Sequence, residues 1–129
     1  MNEQTPDLSG RVIGAAIRGH GELRPGFLEK VYEEALSAEL TALGIRFERQ
    51  FPIQVKYRAK VLAEHRLDLI VERDIVLELK TAAGFDPTHS ATLRSYLKAS
   101  NCDLGLLLNF AATTLQIKRV GREWHSRAN

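Results

Sequence analysis

A single cysteine, Cys102, is too few for a disulfide within the chain or for a thiolate metal cluster. No stretch approaches the roughly 18 apolar residues of a membrane-spanning helix, and the N-terminus lacks the apolar core of a secretory signal. A cytoplasmic protein with no membrane partner is therefore expected. His20, His65, His89 and His125 show no paired spacing for zinc. Ser90, Ser95 and Ser100 lack evident histidine and acid partners, which argues against a serine hydrolase. Repeats and low-complexity tracts are absent too.

The 129 residues, 44% hydrophobic and 26% charged, suit one globular domain spanning 1–129. The net charge of +2 is uneven: residues 1–87 carry 12 Lys and Arg against 14 Asp and Glu, residues 88–129 carry 6 against 2. A basic second half is compatible with a nucleic-acid partner.

Thr5-Pro6-Asp7 has the pattern of a helix start, with Thr5 as N-cap and Asp7 in the first turn. Leu8, Val12, Ala15 and Ala16 follow at helical spacing, and Gly19 and Gly21 are expected to end the helix. A second helix is predicted over 26–43, with Leu28, Tyr32, Leu36, Leu40 and Leu43 inward and Gly44 as its stop. Glu29 falls at the margin of that stripe, where it can reach inward, and Glu33 is expected in solvent. Tyr32 is expected in the core, its hydroxyl bonded near Glu29 or the sheet.

Strands are predicted over 45–57, with Pro52 marking an edge, 61–72 and 75–80. A helix over 88–100 leads to 103–110, a near-continuous apolar run fit for a strand buried on both faces, and a last edge strand covers 115–120. Residues 121–129 read as a polar tail. The order α-α-β-β-β-α-β-β describes an α/β (α+β) fold, a mixed sheet flanked by helices, with a right-handed parallel crossover.

Asp68 to Lys80 reads as a hairpin. A three-residue turn at 73–75 pairs Glu72 with Val76, Ile70 with Glu78 and Asp68 with Lys80. It places Asp68, Glu78 and Lys80 on one face, and Leu67, Leu69, Val71, Leu77 and Leu79 on the other. His65 alternates onto the face opposite Asp68. Clustered carboxylates repel, so Glu29, Asp68 and Glu78 need raised pKa values or a cation. Magnesium, which prefers oxygen ligands and keeps several waters, suits such a set. The Lys80 ammonium can position the attacking water and balance charge on a phosphate. The plainer alternative is a solvated sheet face with Lys80 as a cross-strand ion pair.

Asp68, then Glu78-Leu79-Lys80 on the next strand, then a helix and a buried strand, resembles the PD-(D/E)XK nuclease superfamily. Gly26-Phe27-Leu28-Glu29-Lys30-Val31-Tyr32 resembles the motif that names its GxxExxY family, and the similarity extends over most of 8–120, including Glu64 to Asp68 and Gly105 to Phe110. The resemblance implies a restriction-endonuclease-like fold and Mg2+- or Mn2+-dependent hydrolysis of phosphodiester bonds, in DNA ahead of RNA. It implies Asp68 and Glu78 as metal ligands, Leu79 as a backbone-carbonyl donor, Lys80 as the catalytic lysine and Glu29 as the acid from the first helices. Cutting both strands of a duplex would take a homodimer or a partner subunit. Two departures stand out: Thr92 where the family often has glutamine one turn before the tyrosine at Tyr96, and Arg24 where it usually has glycine. The alternative is a nuclease-fold module that binds nucleic acid or a protein without cleaving it.

Overall fold

Alternation through the middle of the chain is realised as a five-stranded sheet in a computed structural model that describes residues 7–122. The elements are α1 (Leu8–Leu23), α2 (Glu29–Ala42), β1 (Phe47–Tyr57), β2 (Lys60–Val71), β3 (Ile75–Lys80), α3 (Pro87–Ser100), β4 (Leu104–Asn109) and β5 (Gln116–Gly121). The sheet runs β1-β2-β3-β4-β5, antiparallel except for the parallel β3–β4 pair that α3 connects. Element order and fold class agree with the sequence pattern. Among the described residues no helix is long and apolar enough to cross a membrane.

Two apolar layers sandwich the sheet. Val12, Ala15 and Ala16 of α1 and Tyr32, Leu36 and Leu40 of α2 cover Leu69, Val71, Leu77, Leu79, Leu106 and Leu108. Leu93 and Leu97 of α3 cover Leu67, Ile70, Val76 and Leu107 on the other side. Gly105 lets α3 approach closely, since a Cβ there would sit 2.8 Å from a methyl of Leu93. β4, apolar on both faces, is buried from Gly105 to Asn109.

The helices differ from expectation at their ends. Asp7 is the N-cap of α1, its carboxylate accepting from Gly10 N at 2.9 Å, while Thr5 and Pro6 lie outside the described residues. The tail beyond 122 lies outside them as well. α1 continues through Gly19 and Gly21 because the last turn is anchored by tertiary contacts: Gly19 packs beside Ala35, and the buried His20 ring meets the Ala112 carbonyl at 2.8 Å. That packing outweighs about 1 kcal/mol per glycine. α2 starts at Glu29, not Gly26, and Leu28, expected inward, is 80% exposed as its N-cap residue. Leu43 is exposed too, while Gly44 follows with φ +73 at the predicted stop.

Arg24, the C-cap of α1, holds φ 64 and ψ 167, a region open essentially to glycine alone. It is kept there by its N–H to the His20 carbonyl at 2.8 Å and by the Tyr32 hydroxyl, which donates to its carbonyl at 2.6 Å and accepts from Phe27 N at 3.2 Å. Tyr32 therefore ties down the α1–α2 connector rather than meeting Glu29 or the sheet, and its ring stacks on Phe110 at 4.7 Å. Relief of this strain in Arg24→Gly is expected to stabilise the fold by about 1 kcal/mol net of the glycine's greater unfolded-state entropy. Thermal denaturation should show a rise in Tm of about 3–6 °C. An unchanged or lower Tm would contradict the strain.

The hairpin register differs from the predicted one. Leu69 pairs with Leu77, Ile70 with Val76 and Val71 with Ile75. The loop still holds three residues, but they are Glu72, Arg73 and Asp74. Glu72 is drawn out of the ladder by Arg46, whose backbone N–H and guanidinium both donate to its carboxylate. Both loops have the same parity, so Asp68, Glu78 and Lys80 keep a common side. The same count sets Asp68 across from Glu78 rather than Lys80.

Besides a register shift between Val55 and Lys56, alternation is interrupted between Arg49 and Phe51. Arg49 and Leu69 point to the α2 layer, yet Phe51, Ile53 and Leu67, two residues on or more, belong to the α3 layer. Between them Gln50 takes φ +51, and Gln50 and Asp68 drop out of the β1–β2 pairing. Odd-numbered residues thus change layers at Asp68, which corrects the expected grouping of Leu67 with Leu69.

Candidate active site

Asp68 and Glu78 meet through crossed backbone bonds. Asp68 N donates to Glu78 Oε2 at 3.3 Å, and Leu79 N donates to Asp68 Oδ2 at 2.8 Å. Asp68 is half-buried and Glu78 is 9% exposed. Burial pushes the Glu78 carboxyl up to about 8, the charge of Asp68 adds to the rise, and the Asp68 N–H and Lys80 only partly offset it. Asp68 is raised as well, chiefly by burial, against the lowering pull of the Leu79 N–H, with Glu33 and then Glu29 contributing repulsion. The pair is short of positive charge.

Lys80, two residues past Glu78, is near enough to draw the Glu78 carboxyl downward, and its own carbonyl accepts from Phe110 N at 2.9 Å. Leu79 gives its N–H to Asp68 while its side chain fills the α1/α2 layer. Glu29 is exposed at the first position of α2, and its Oε2 accepts from Thr81 N at 3.1 Å. Its charge reaches Asp68, but its carboxylate holds the segment leaving Lys80. Among the described residues no group of three His, Cys, Asp or Glu forms a ready metal cluster.

Glu33, expected in solvent, is buried. Arg49 Nε donates to it at 2.9 Å and Gln50 Nε2 at 3.0 Å, because the irregularity in β1 swings both residues over α2. Arg49 also bonds Glu34 at 2.7 Å, which holds the Glu34 carboxyl below its usual value. Tyr96 of α3 faces the acid pair: burial raises its phenol first, and Glu78 and Asp68 add to the rise. The His65 ring lies 5.2 Å from the Tyr96 ring, so His65 stands on the α3 side, a second consequence of the layer change at Asp68. Thr92 is exposed one turn before Tyr96.

Asn109 received no role from the sequence. It is fully buried at the end of β4, opposite Lys80. Its amide donates to the Ala82 carbonyl at 2.9 Å and to Gln116 Oε1 at 2.8 Å, and its oxygen accepts from Ala82 N at 3.1 Å and Ala111 N at 3.2 Å. This amide fixes the path of 81–82 and so the exit from Lys80. The available signal was a lone carboxamide closing an otherwise apolar run, at a depth where polar groups must be satisfied.

The donor set fits a hard divalent cation. A half-buried and a buried carboxylate side by side, whose ionised forms lack a full countercharge, are the kind of oxygen pair Mg2+ binds while keeping waters and a substrate phosphate. Among the described residues, the buried hydroxyls without a partner are those of Ser37 and Ser90.

The family model described as the PD-(D/E)XK nuclease superfamily matches residues 6–120. The crystal structure of SSO0001 is similar in fold, with a TM-score of 0.59 and 18% sequence identity over 75% of this chain and 52% of that one. The chain thus spans about half the length of that structure. No curated protein matches the sequence.

Proposed function

The chain belongs to the PD-(D/E)XK nuclease superfamily, and on that premise we propose that it is a metal-dependent nuclease hydrolysing phosphodiester bonds, in DNA ahead of RNA. Within the superfamily, the Gly26 to Tyr32 motif supports membership of the GxxExxY family. It works as one nuclease-like domain in the cytoplasm. The observation that carries the reading is the crossed Asp68–Glu78 pair, with Glu78 pushed up to about 8 by burial and by the charge of Asp68.

In this reading Asp68 and Glu78 hold Mg2+ or Mn2+, with the Leu79 carbonyl and Glu29 as further donors. Such a cation supplies charge to the phosphate oxygens and acidifies a bound water. Lys80, on the same side as Glu78, orients the attacking water and offsets the charge that grows on phosphorus oxygens. Tyr96 walls the α3 side. Glu29, through Thr81 N, and Asn109, through Ala82, keep the Lys80 segment in place. One site cuts one strand, so duplex scission takes a homodimer or a partner subunit.

The test is cleavage of labelled oligonucleotides and supercoiled plasmid with Mg2+, with Mn2+ and with chelator. Cleavage that needs metal is the expected result. Binding that is indifferent to metal, with the DNA left intact, would instead favour the second reading, a module that binds nucleic acid without cutting. Two observations favour that rival: Glu29 is engaged by Thr81 N, and Thr92 stands where the family often has glutamine.

A further inference from the structure

β1 and β2 run on past the layer change as a two-stranded arm, with residues 60–66 exposed throughout, and its α3-facing side bounds a groove of about 940 Å³. Phe51, Pro52 and Val55 supply its apolar surface over the buried Ile53; Lys56 and Glu64 stand on the arm, and Ser95 and Lys98 on α3. The two walls thus each carry one lysine. The lone carboxylate, Glu64, already accepts from Gln54 Nε2 at 3.5 Å. Arg58 and Lys60 continue the line of cations to the arm's tip.

We infer that this groove seats a single-stranded stretch of nucleic acid and leads it to the acid pair. The chemistry is that of a sequence-tolerant single-strand channel, cations for the backbone over apolar surface for base faces. A duplex hides its base faces and presents a convex row of phosphates, so it would leave Phe51, Pro52 and Val55 uncovered. The groove lies beside the site: Ile53, on its lining, pairs with His65, whose ring meets Tyr96, and the charges of Glu78 and Asp68 reach the Tyr96 phenol. This deepens the nuclease reading and rests on it for the class of ligand.

Fluorescence anisotropy with a labelled oligothymidylate and a duplex of equal length, in chelator, separates the two ideas. The wild type is expected to bind the single strand at least tenfold more tightly than the duplex. Lys56→Glu and Lys98→Glu should each weaken it several-fold, and together at least tenfold. The double variant should also lower the slope of log K against log salt by about 1.4, two phosphate contacts at about 0.7 each. Lys118→Glu, the same charge change on β5, should have less effect than either single variant. Equal effects of all three, preference for duplex, or displacement by polyglutamate as readily as by oligonucleotide would overturn the inference. Both lysines are exposed, and Lys56→Gln/Lys98→Gln provides the milder pair if the charge swap lowers Tm. If the groove variants lose binding but the wild type cuts nothing, the groove stands and the nuclease reading falls. If the wild type cuts single strands and the double variant cuts them equally well, the nuclease reading stands and the groove falls.

Discussion

Glu78→Ala is expected to lower cleavage by at least about 10³-fold with the fold intact. Removing residues that merely support a metal ligand costs about 10- to 100-fold, so losing a direct carboxylate donor costs more. Nucleic-acid binding in chelator should be retained, because the groove lysines are untouched. Lys80→Ala is expected to lose about 10²–10³-fold, the scale on which a single positioned charge acts at a developing oxyanion. It should also move the pH profile of the rate, which a purely structural lysine would not. Single-turnover rates on a labelled strand, with Tm as a control, decide the matter. A Glu78→Ala enzyme within tenfold of the wild type would remove the acid pair from the chemistry.

The second large effect is on stability. Glu78 has its ordinary value of 4.5 in the unfolded chain and about 8 when folded. Between those values the native state binds more protons than the unfolded one, so stability falls as pH rises through that window. The loss is on the order of a few kcal/mol for a group this buried. Metal-free protein should therefore show a Tm that declines from pH 5 to pH 8, and Glu78→Gln should flatten the decline. Asp7, Glu34, Glu72 and Asp86 are held below their ordinary values by hydrogen bonds, so their contribution is present above those values and is lost only at more acid pH. They do not cancel the trend. If the ionised pair holds Mg2+ or Mn2+, as proposed, the metal should raise Tm more at pH 8 than at pH 5. A Tm flat across this range and blind to metal would refute both the buried acid and its cation.

Which side the residues from Leu69 to Lys80 take was legible from alternation alone, because parity survives a change of loop position. The register was not: it turns on Arg46 capturing Glu72, a contact between residues 26 apart. The burial of Glu33 and the side taken by His65 depend likewise on the irregularity at Gln50, and no local propensity marks that residue for φ +51. β4 was legible because a strand apolar on both faces needs no partner to be recognised. The full length of α1 was not, since two glycines argue against it and only the contacts with Ala35 and Ala112 argue for it.

The layer change at Gln50 and Asp68 also divides the hairpins into parts with unequal tolerance. One residue added within β3 between Val76 and Glu78 would turn Glu78 or its partners to the opposite face and separate it from Asp68. One added at the Arg58–Ala59 tip would lengthen only the turn of the outer arm, leaving the inner ladder untouched. The arm is thus an exchangeable cassette, able to diverge or be grafted for new specificities while the inner hairpin cannot change length by one.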